Sequence, residues 1–151
     1  MFATQIAPHL VSQALQAYRS NFCPSKQLER PYAAISVIVV AADDDDTARF
    51  LFTSTQQIML ARLRRIQGQM PPPVPHIEDI STPEERVGLA KFLPLAVVGC
   101  PARICAELDR IIAETGADEL LVLSLIHDQA ARRHSFEILA RPEAFALDRP
   151  D

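Results

Sequence analysis

Residues 97–128, VVGCPARICAELDRIIAETGADELLVLSLIHD, decide the fold class of this chain. They combine a short apolar strand, an amphipathic helix and a second apolar strand that ends in a polar pair. Pro101 suits the first turn of a helix, and Gly116 suits the residue just past a helix end. A strand–helix–strand sequence of this kind is the repeating unit of parallel α/β proteins, so the chain is predicted to contain a parallel sheet.

The same alternation extends in both directions from this stretch. Residues 119–125 are predicted to form the last strand, residues 129–140 a final helix and residues 142–151 a tail. Residues 8–22 are predicted to form the first helix, because their apolar side chains recur at helical spacing. Residues 1–141 form one predicted domain, in keeping with the length of the chain.

Residues 32–42, YAAISVIVVAA, form a nearly unbroken apolar run that is rich in Val and Ile. Runs of this kind are typical of strands that are covered on both faces, as in parallel sheets. Four acidic residues, 43–46, follow directly and precede a long predicted helix with an apolar stripe. Acids at a helix start bind free N–H groups and complement the helix dipole, an interpretation that we favour over a metal site. No metal is predicted.

Residues 67–93 are dense in proline and break the periodic pattern. This segment is predicted to be an irregular excursion without regular helix. An irregular segment of this length in a compact domain usually covers a site or an interface. Two interpretations stay open, a lid or a flexible surface insertion.

Composition and charge exclude several classes of protein. The formal net charge is −4, whereas nucleic-acid binding normally needs a basic face, so no nucleic-acid partner is expected. No apolar run approaches the roughly 20 residues that span a bilayer, and the N-terminus does not resemble a signal peptide, so no membrane partner is expected. The chain has three cysteines and no CxxC pair, which favours a cytoplasmic location.

Several segments, in order along the chain, resemble the luciferase-like, flavin-dependent monooxygenases. These segments are FATQIAP, LQAYRSNFCPS, PYAAISVIVVAADDDDTA, VVGCPARICAEL and TGADELLVLSLIHDQAARRHSFEILA. The resemblance implies an α/β fold, the C-terminal half of a (β/α)8 TIM barrel. It would comprise the stub of strand five and then helix five to helix eight, with parallel strands and outer helices. A complete barrel takes about 250 residues, so strands one to four are expected to be absent.

The resemblance also implies a cofactor and a substrate class. The family uses reduced FMN, or in some relatives a deazaflavin, to oxygenate a small organic substrate. Thr4 and Gln5 fall at or near positions where the family contacts the flavin. His9 lies close to them near a predicted helix start, where free N–H groups favour a phosphate. Most flavin contacts of the family lie in the unmatched half, so one side of a flavin pocket is expected.

His127 and Asp128 are the candidate catalytic residues. Barrels of this class place their chemistry at the carboxyl ends of strands, where this pair is expected. An adjacent imidazole and carboxylate can orient a substrate or move protons. Alternatively, Asp128 caps the final helix and His127 packs at the strand end, and the two roles can coexist. The turn at Gly99 and Cys100 is a second place where backbone N–H groups could meet a phosphate, although its glycine also has a steric explanation.

A half-barrel leaves two unpaired sheet edges and an uncovered inner face. Open edges pair with other chains, and a large apolar face drives association. We therefore expect the chain to associate with itself or with a separately encoded N-terminal half-barrel, or to aggregate. Two functions remain open: part of a flavin-dependent monooxygenase that is not active alone, or a non-catalytic remnant that serves as a flavin-binding or oligomerisation module.

Overall fold

A single parallel sheet organises the protein. The computed structural model describes residues 2–3 and 10–140. The strands are β1 (Phe2–Ala3), β2 (Ala34–Ala41), β3 (Ala96–Gly99) and β4 (Glu119–Leu123). Every strand pairs with β2 in the parallel sense, which confirms the parallel α/β class.

The order of the strands follows from their registers on β2. Ala34 is opposite both Phe2 and Glu119, and Ile38 is opposite both Ala96 and Leu123. Because a strand has only two sides, β4 lies on one side of β2, and β1 and β3 share the other. A sheet that follows chain order would place β3 between β2 and β4. Here the four residues of β3 cover only the carboxyl half of β2, and β4 pairs with the amino half on the opposite side.

Five α-helices lie within the described residues. They are α1 (Val11–Ser20), α2 (Asp45–Leu63), α3 (Pro83–Phe92), α4 (Pro101–Thr115) and α5 (Gln129–Leu139). The helices predicted after β2, β3 and β4 are confirmed. The first predicted helix begins at residue 8, outside the described residues, and the predicted tail at residues 142–151 lies outside them as well.

All eight residues of β2 are buried, as its unbroken apolar run predicted. Successive side chains of a strand point to opposite faces, and those of β2 enter two separate clusters. Ile35, Val37 and Val39 pack with residues of α1, α4 and α5, whereas Ile38 and Val40 pack with residues of α2. Helices therefore cover both faces of the central strand, which is the reason its sequence does not alternate.

The second part of the excursion at residues 67–93 is helical. The prediction that this segment lacks regular helix was therefore wrong. A short 3-10 helix spans Ile77–Ile80, and α3 follows. Thr82 and Glu85 form a capping box, in which each side chain binds the backbone N–H of the other residue, and Pro83 occupies the first turn. This start signal was present in the sequence, but the preceding prolines obscured it.

The excursion is fixed to α2 by apolar and polar contacts. Ile77 and Leu89 are buried against Leu60. The guanidinium of Arg64 donates to both carboxylate oxygens of Glu85, at 2.7 and 2.8 Å. This ion pair and the capping N–H of the helix start lower the pKa of Glu85 from 4.5 to about 2. These contacts hold the second part of the excursion against α2.

Within the described residues, no helix is long and apolar enough to cross a membrane.

Candidate functional site

The carboxyl ends of the parallel strands form the candidate site. Residues that follow β2 and β3 contact one another here, and residues of α5 contact the end of β2. The segment that follows β4 leads to the same edge. We call this group the carboxyl rim: Asp43, Asp44, Asp45, Gly99, Cys100, Arg103, His127, Asp128, His134 and Ser135.

Asp44 and Asp45 have separate structural roles at the rim. Asp44 is the N-cap of α2 and accepts from the backbone N–H of Thr47 at 2.7 Å. Asp45 contacts the start of α4, where it accepts hydrogen bonds from the N–H of Cys100 at 2.8 Å and from Arg103 Nε at 2.9 Å. The Cys100 N–H, and then Arg103, hold the pKa of Asp45 below its usual range. The prediction that these acids cap a helix is confirmed for Asp44.

Gly99 leaves the space that the carboxylate of Asp45 occupies. A Cβ at this position would overlap Arg103 Cδ and would lie 2.7 Å from Asp45 Oδ1. The glycine therefore has a steric role at this turn. A phosphate here would need free donors, but both the Cys100 N–H and Arg103 Nε already bind Asp45. Two of the donors at the turn of Gly99 and Cys100 are therefore already bound to an acidic side chain.

His134 and Asp43 form a pair that the sequence did not predict. Nε2 of His134 lies 2.9 Å from Asp43 Oδ1, and Nδ1 lies 3.6 Å from Glu137. The hydrogen bond to Asp43 is the main cause that raises the pKa of His134. Because both ring nitrogens face carboxylates, this imidazole is suited to hold a positive charge rather than to take a proton from a substrate.

Two hydroxyl groups hold the backbone at the rim. Ser135 is fully buried and accepts from the backbone N–H of Ala41 at 3.0 Å, at the end of β2. Thr55 on α2 donates to the carbonyl of Leu125 at 2.7 Å. These bonds attach α5 to β2, and α2 to the segment after β4.

His127 and Asp128, the predicted catalytic pair, follow β4 and differ in the hydrogen bonds that the structure shows for them. Asp128 is the N-cap of α5 and accepts from the N–H of Ala131 at 2.7 Å. His127 is exposed. The capping role of Asp128 is therefore observed, and a catalytic role for either residue stays a prediction. Thr4, Gln5 and His9, the predicted cofactor contacts, lie outside the described residues.

No metal site is evident in the described ranges, 2–3 and 10–140, where no three His, Cys, Asp or Glu side chains are grouped to hold an ion. The four acids at residues 43–46 illustrate why. Asp46 pairs with Arg49, Asp43 with His134, and the two between them bind helix N–H groups.

A second feature lies at the open side of β4. Leu121 and Leu123 are 39% and 44% exposed, and their registers with Ser36 and Ile38 put them on the face that α2 covers elsewhere. On the opposite face Val122 lines an apolar groove of about 360 Å³. Other groove residues are Leu108, Ile112, Leu120 and Leu139. Both faces of this strand therefore present apolar side chains to solvent.

Comparison with known sequences identifies relatives of greater length, although no family model matches the chain. The chain is 43% identical over 137 residues to a protein from Escherichia coli K12 described as a luciferase-like monooxygenase. The match covers 91% of this chain and 41% of that protein. The chain thus spans less than half the length of the curated relatives that it matches.

Comparison with solved structures supports the same relationship. The crystal structure of apo-MsnO8 superposes with a TM-score of 0.83 at 28% identity, over 99% of this chain and 45% of that one. The oxygenating constituent of 3,6-diketocamphane monooxygenase from Pseudomonas putida, a type II Baeyer–Villiger enzyme in complex with FMN, gives a TM-score of 0.57 at 15% identity. That match covers 99% of this chain and 43% of the enzyme, and it shows a shared fold.

Proposed function

Since this chain corresponds in sequence and fold to part of the luciferase-like monooxygenases, we propose that it forms one side of a flavin-dependent monooxygenase. The 43% identity over 137 residues is the observation that carries this proposal. The active unit would combine this chain with polypeptide that corresponds to the rest of those relatives. The chain alone is not expected to be active.

The proposed reaction uses a reduced flavin and O2 to oxygenate a small organic substrate. FMN is the proposed flavin, supported by the Pseudomonas putida neighbour, which is a complex with FMN. A deazaflavin is the alternative, and no metal is proposed. In flavoenzymes the cofactor supplies the redox chemistry, while the protein binds it, orients it and excludes water.

In the described part of the carboxyl rim, an acidic side chain lies at the turn that follows β3. Asp45 accepts hydrogen bonds from the Cys100 N–H and from Arg103 Nε, two donors that could otherwise face an anion after β3. The neighbouring Asp43 and Asp44 add negative charge, which disfavours a phosphate. We therefore propose that the phosphate is held by Thr4, Gln5 and His9 or by the complementary part of the barrel.

His127 is the rim residue proposed to contact the substrate. It is exposed, and residues 124–126 separate it from the carboxyl end of β4 at Leu123. Its imidazole would orient the substrate or move a proton, while Asp128 fixes the start of α5 beside it. Substitution of His127 by Ala should lower turnover of the assembled enzyme without changing its flavin content. Replacing His76, an exposed histidine in the excursion, is the matched control.

A non-catalytic module is the second candidate function. The observation in its favour is that two donors at the β3 turn bind Asp45, while the open side of β4 offers an apolar surface for association. In that case the chain would bind a flavin or assemble with other chains without turnover. We propose a cytoplasmic location for either function, supported by the odd number of cysteines.

The test uses a complementary polypeptide, defined as the portion of the E. coli relative that this chain does not match. Both chains are co-expressed, and the complex is assayed for bound flavin and for substrate-dependent O2 uptake with reduced FMN. Free reduced FMN consumes O2 by itself, so the proposal expects stoichiometric flavin and O2 uptake that increases with substrate from the complex, and neither from this chain alone. A single-chain fusion of the two parts that binds no flavin, or that binds flavin without substrate-dependent O2 uptake, would reject it in favour of the non-catalytic module.

A further inference from the structure

We propose that Thr55, a buried residue of α2, is a positioning residue for His127. Its hydroxyl holds the connection between β4 and α5, residues 124–128, so that the imidazole of His127 keeps a fixed place at the carboxyl rim. The inference rests on the proposed function, in which His127 contacts the substrate.

The connection between β4 and α5 is held on both sides of His127. Ser124 is buried, and its hydroxyl lies 3.5 Å from the hydroxyl of Ser135 on α5. Ile126 is buried as well, and it packs with residues of β2 and α2. Asp128 caps the start of α5. His127 is therefore an exposed residue in a connection that is attached to the protein before and after it.

The hydroxyl of Thr55 holds the backbone of this connection. It donates to the carbonyl of Leu125 at 2.7 Å, and the residue is fully buried. Leu125 belongs to no helix or strand, so a side chain supplies the partner that a regular backbone ladder would otherwise provide. The carbonyl is part of the planar peptide unit that leads to Ile126, directly before His127. Its orientation therefore sets the direction in which the chain enters His127.

A comparison with Thr53, two residues earlier on α2, separates this contact from ordinary helix chemistry. The hydroxyl of a threonine inside a helix commonly binds a carbonyl three or four residues back. Thr53 does so, donating to the carbonyl of Phe50 at 2.7 Å, and it also accepts from the N–H of Val74 at 2.9 Å. Thr55 instead donates to a carbonyl 70 residues further along the chain. Its hydroxyl thus serves the connection rather than its own helix.

Three variants separate positioning from stability. Thr55→Val keeps the shape of the side chain but removes the donor, whereas Thr55→Ser keeps the donor and removes a methyl group. Thr53→Val is the matched control, because it makes the same change on the same helix but releases the excursion at Val74. Circular dichroism and thermal unfolding check that all three variants fold.

The first measurement is the backbone order parameter of His127, from NMR relaxation of this chain. We expect Thr55→Val to lower it from about 0.85, the value of rigid backbone, to below about 0.6, the range of flexible segments. Thr55→Ser should keep the wild-type value. Thr53→Val should also keep it and should lower the order parameter of Val74 instead. An unchanged value in Thr55→Val, or an equal loss in Thr55→Ser, would overturn the inference.

The second measurement is kcat/KM of the complex with the complementary polypeptide. A displaced imidazole should lower kcat/KM at least about tenfold in Thr55→Val, and Thr55→Ser should restore most of it. Because Thr55 acts through His127, Thr55→Val should cause no further loss in a His127→Ala background. In an active complex, an unchanged kcat/KM in Thr55→Val or additive losses in the double variant would overturn the inference. A lowered order parameter at His127 in a complex without turnover would support the positioning role and reject only the proposed function.

Discussion

The carboxylate of Asp45 accepts a hydrogen bond from the backbone N–H of Cys100 at 2.8 Å. This contact joins the start of α2, which follows β2, to the start of α4, which follows β3. Arg103 donates to the other carboxylate oxygen, at 2.9 Å. One acid thus connects the ends of two neighbouring strands and occupies two hydrogen-bond donors at the turn after β3.

Removing this carboxylate should lower the stability of the chain. Asp45→Ala leaves the Cys100 N–H without its acceptor, so a lower thermal midpoint is expected, and Asp45→Asn should be milder because it keeps an acceptor oxygen. Asp46→Asn is the matched control, since the side chain of Asp46 is 93% exposed and its ion pair within the described residues is with Arg49. Thermal unfolding measures all three. An equal loss for Asp45→Ala and Asp46→Asn would contradict the account.

The same contact predicts a pH dependence. Because the pKa of Asp45 is lowered in the folded chain, its contribution to stability is present above the unfolded pKa of about 4 and is lost as pH falls through the folded value. The stability difference between wild type and Asp45→Asn should therefore shrink below about pH 4.

Gly99 should not tolerate a side chain. Gly99→Ala would bring a Cβ to 2.7 Å from Asp45 Oδ1 and into overlap with Arg103, so the rim contact must shift. We expect a loss of about 1–3 kcal/mol in the free energy of unfolding, the usual range for overpacking. Gly68→Ala is the control, because no atom lies within 4 Å of the added Cβ. Urea unfolding that shows the same stability for both variants would contradict the steric role of Gly99.

The pair of His134 and Asp43 should be visible in a titration. The hydrogen bond to Asp43 raises the pKa of His134 in the folded chain. The charged pair therefore contributes stability below the unfolded pKa of about 6.5, and this contribution is lost as pH rises through the folded pKa. NMR titration of the His134 ring should give a lower pKa in Asp43→Asn than in the wild type. An unchanged midpoint would mean that the pair does not form in solution.

The excursion should depend on Glu85. Glu85→Gln removes the ion pair with Arg64, and faster amide exchange is expected in α3 at neutral pH. Since the folded pKa of Glu85 is about 2, the wild type should lose this protection as pH falls from about 4.5 towards 2. Glu84→Gln, which leaves the bond to Arg64 intact, is the matched control. Equal exchange in α3 for both variants would contradict the role of the ion pair.

The sequence predicted the elements whose signals are local. The apolar run of β2 predicted burial on both faces, and Pro101 and Gly116 marked the two ends of α4. The helix α3 was missed, because the prolines before it outweighed the capping signal at Thr82 and Glu85. The family resemblance was confirmed by the comparisons. It supplied the expectations of a half-barrel and a flavin, which local patterns in the sequence cannot give.

Long-range pairing could not be read from the chain. Asp43 and His134 are 91 residues apart, and no periodic pattern links them. The same holds for Asp45 and Cys100, which meet only because β2 and β3 are neighbours. The pairing of β4 with β2 likewise depends on which edge of β2 the other strands leave unpaired. That edge is determined only when the sheet has assembled.

Size-exclusion chromatography with light scattering and flavin absorbance tests the central claim most directly. This chain is run with FMN, first alone and then with the complementary polypeptide. The account predicts a peak with the mass of a one-to-one complex that carries stoichiometric flavin, and no flavin on this chain alone. A complex of the same mass without flavin, or stoichiometric flavin on this chain alone, would contradict it.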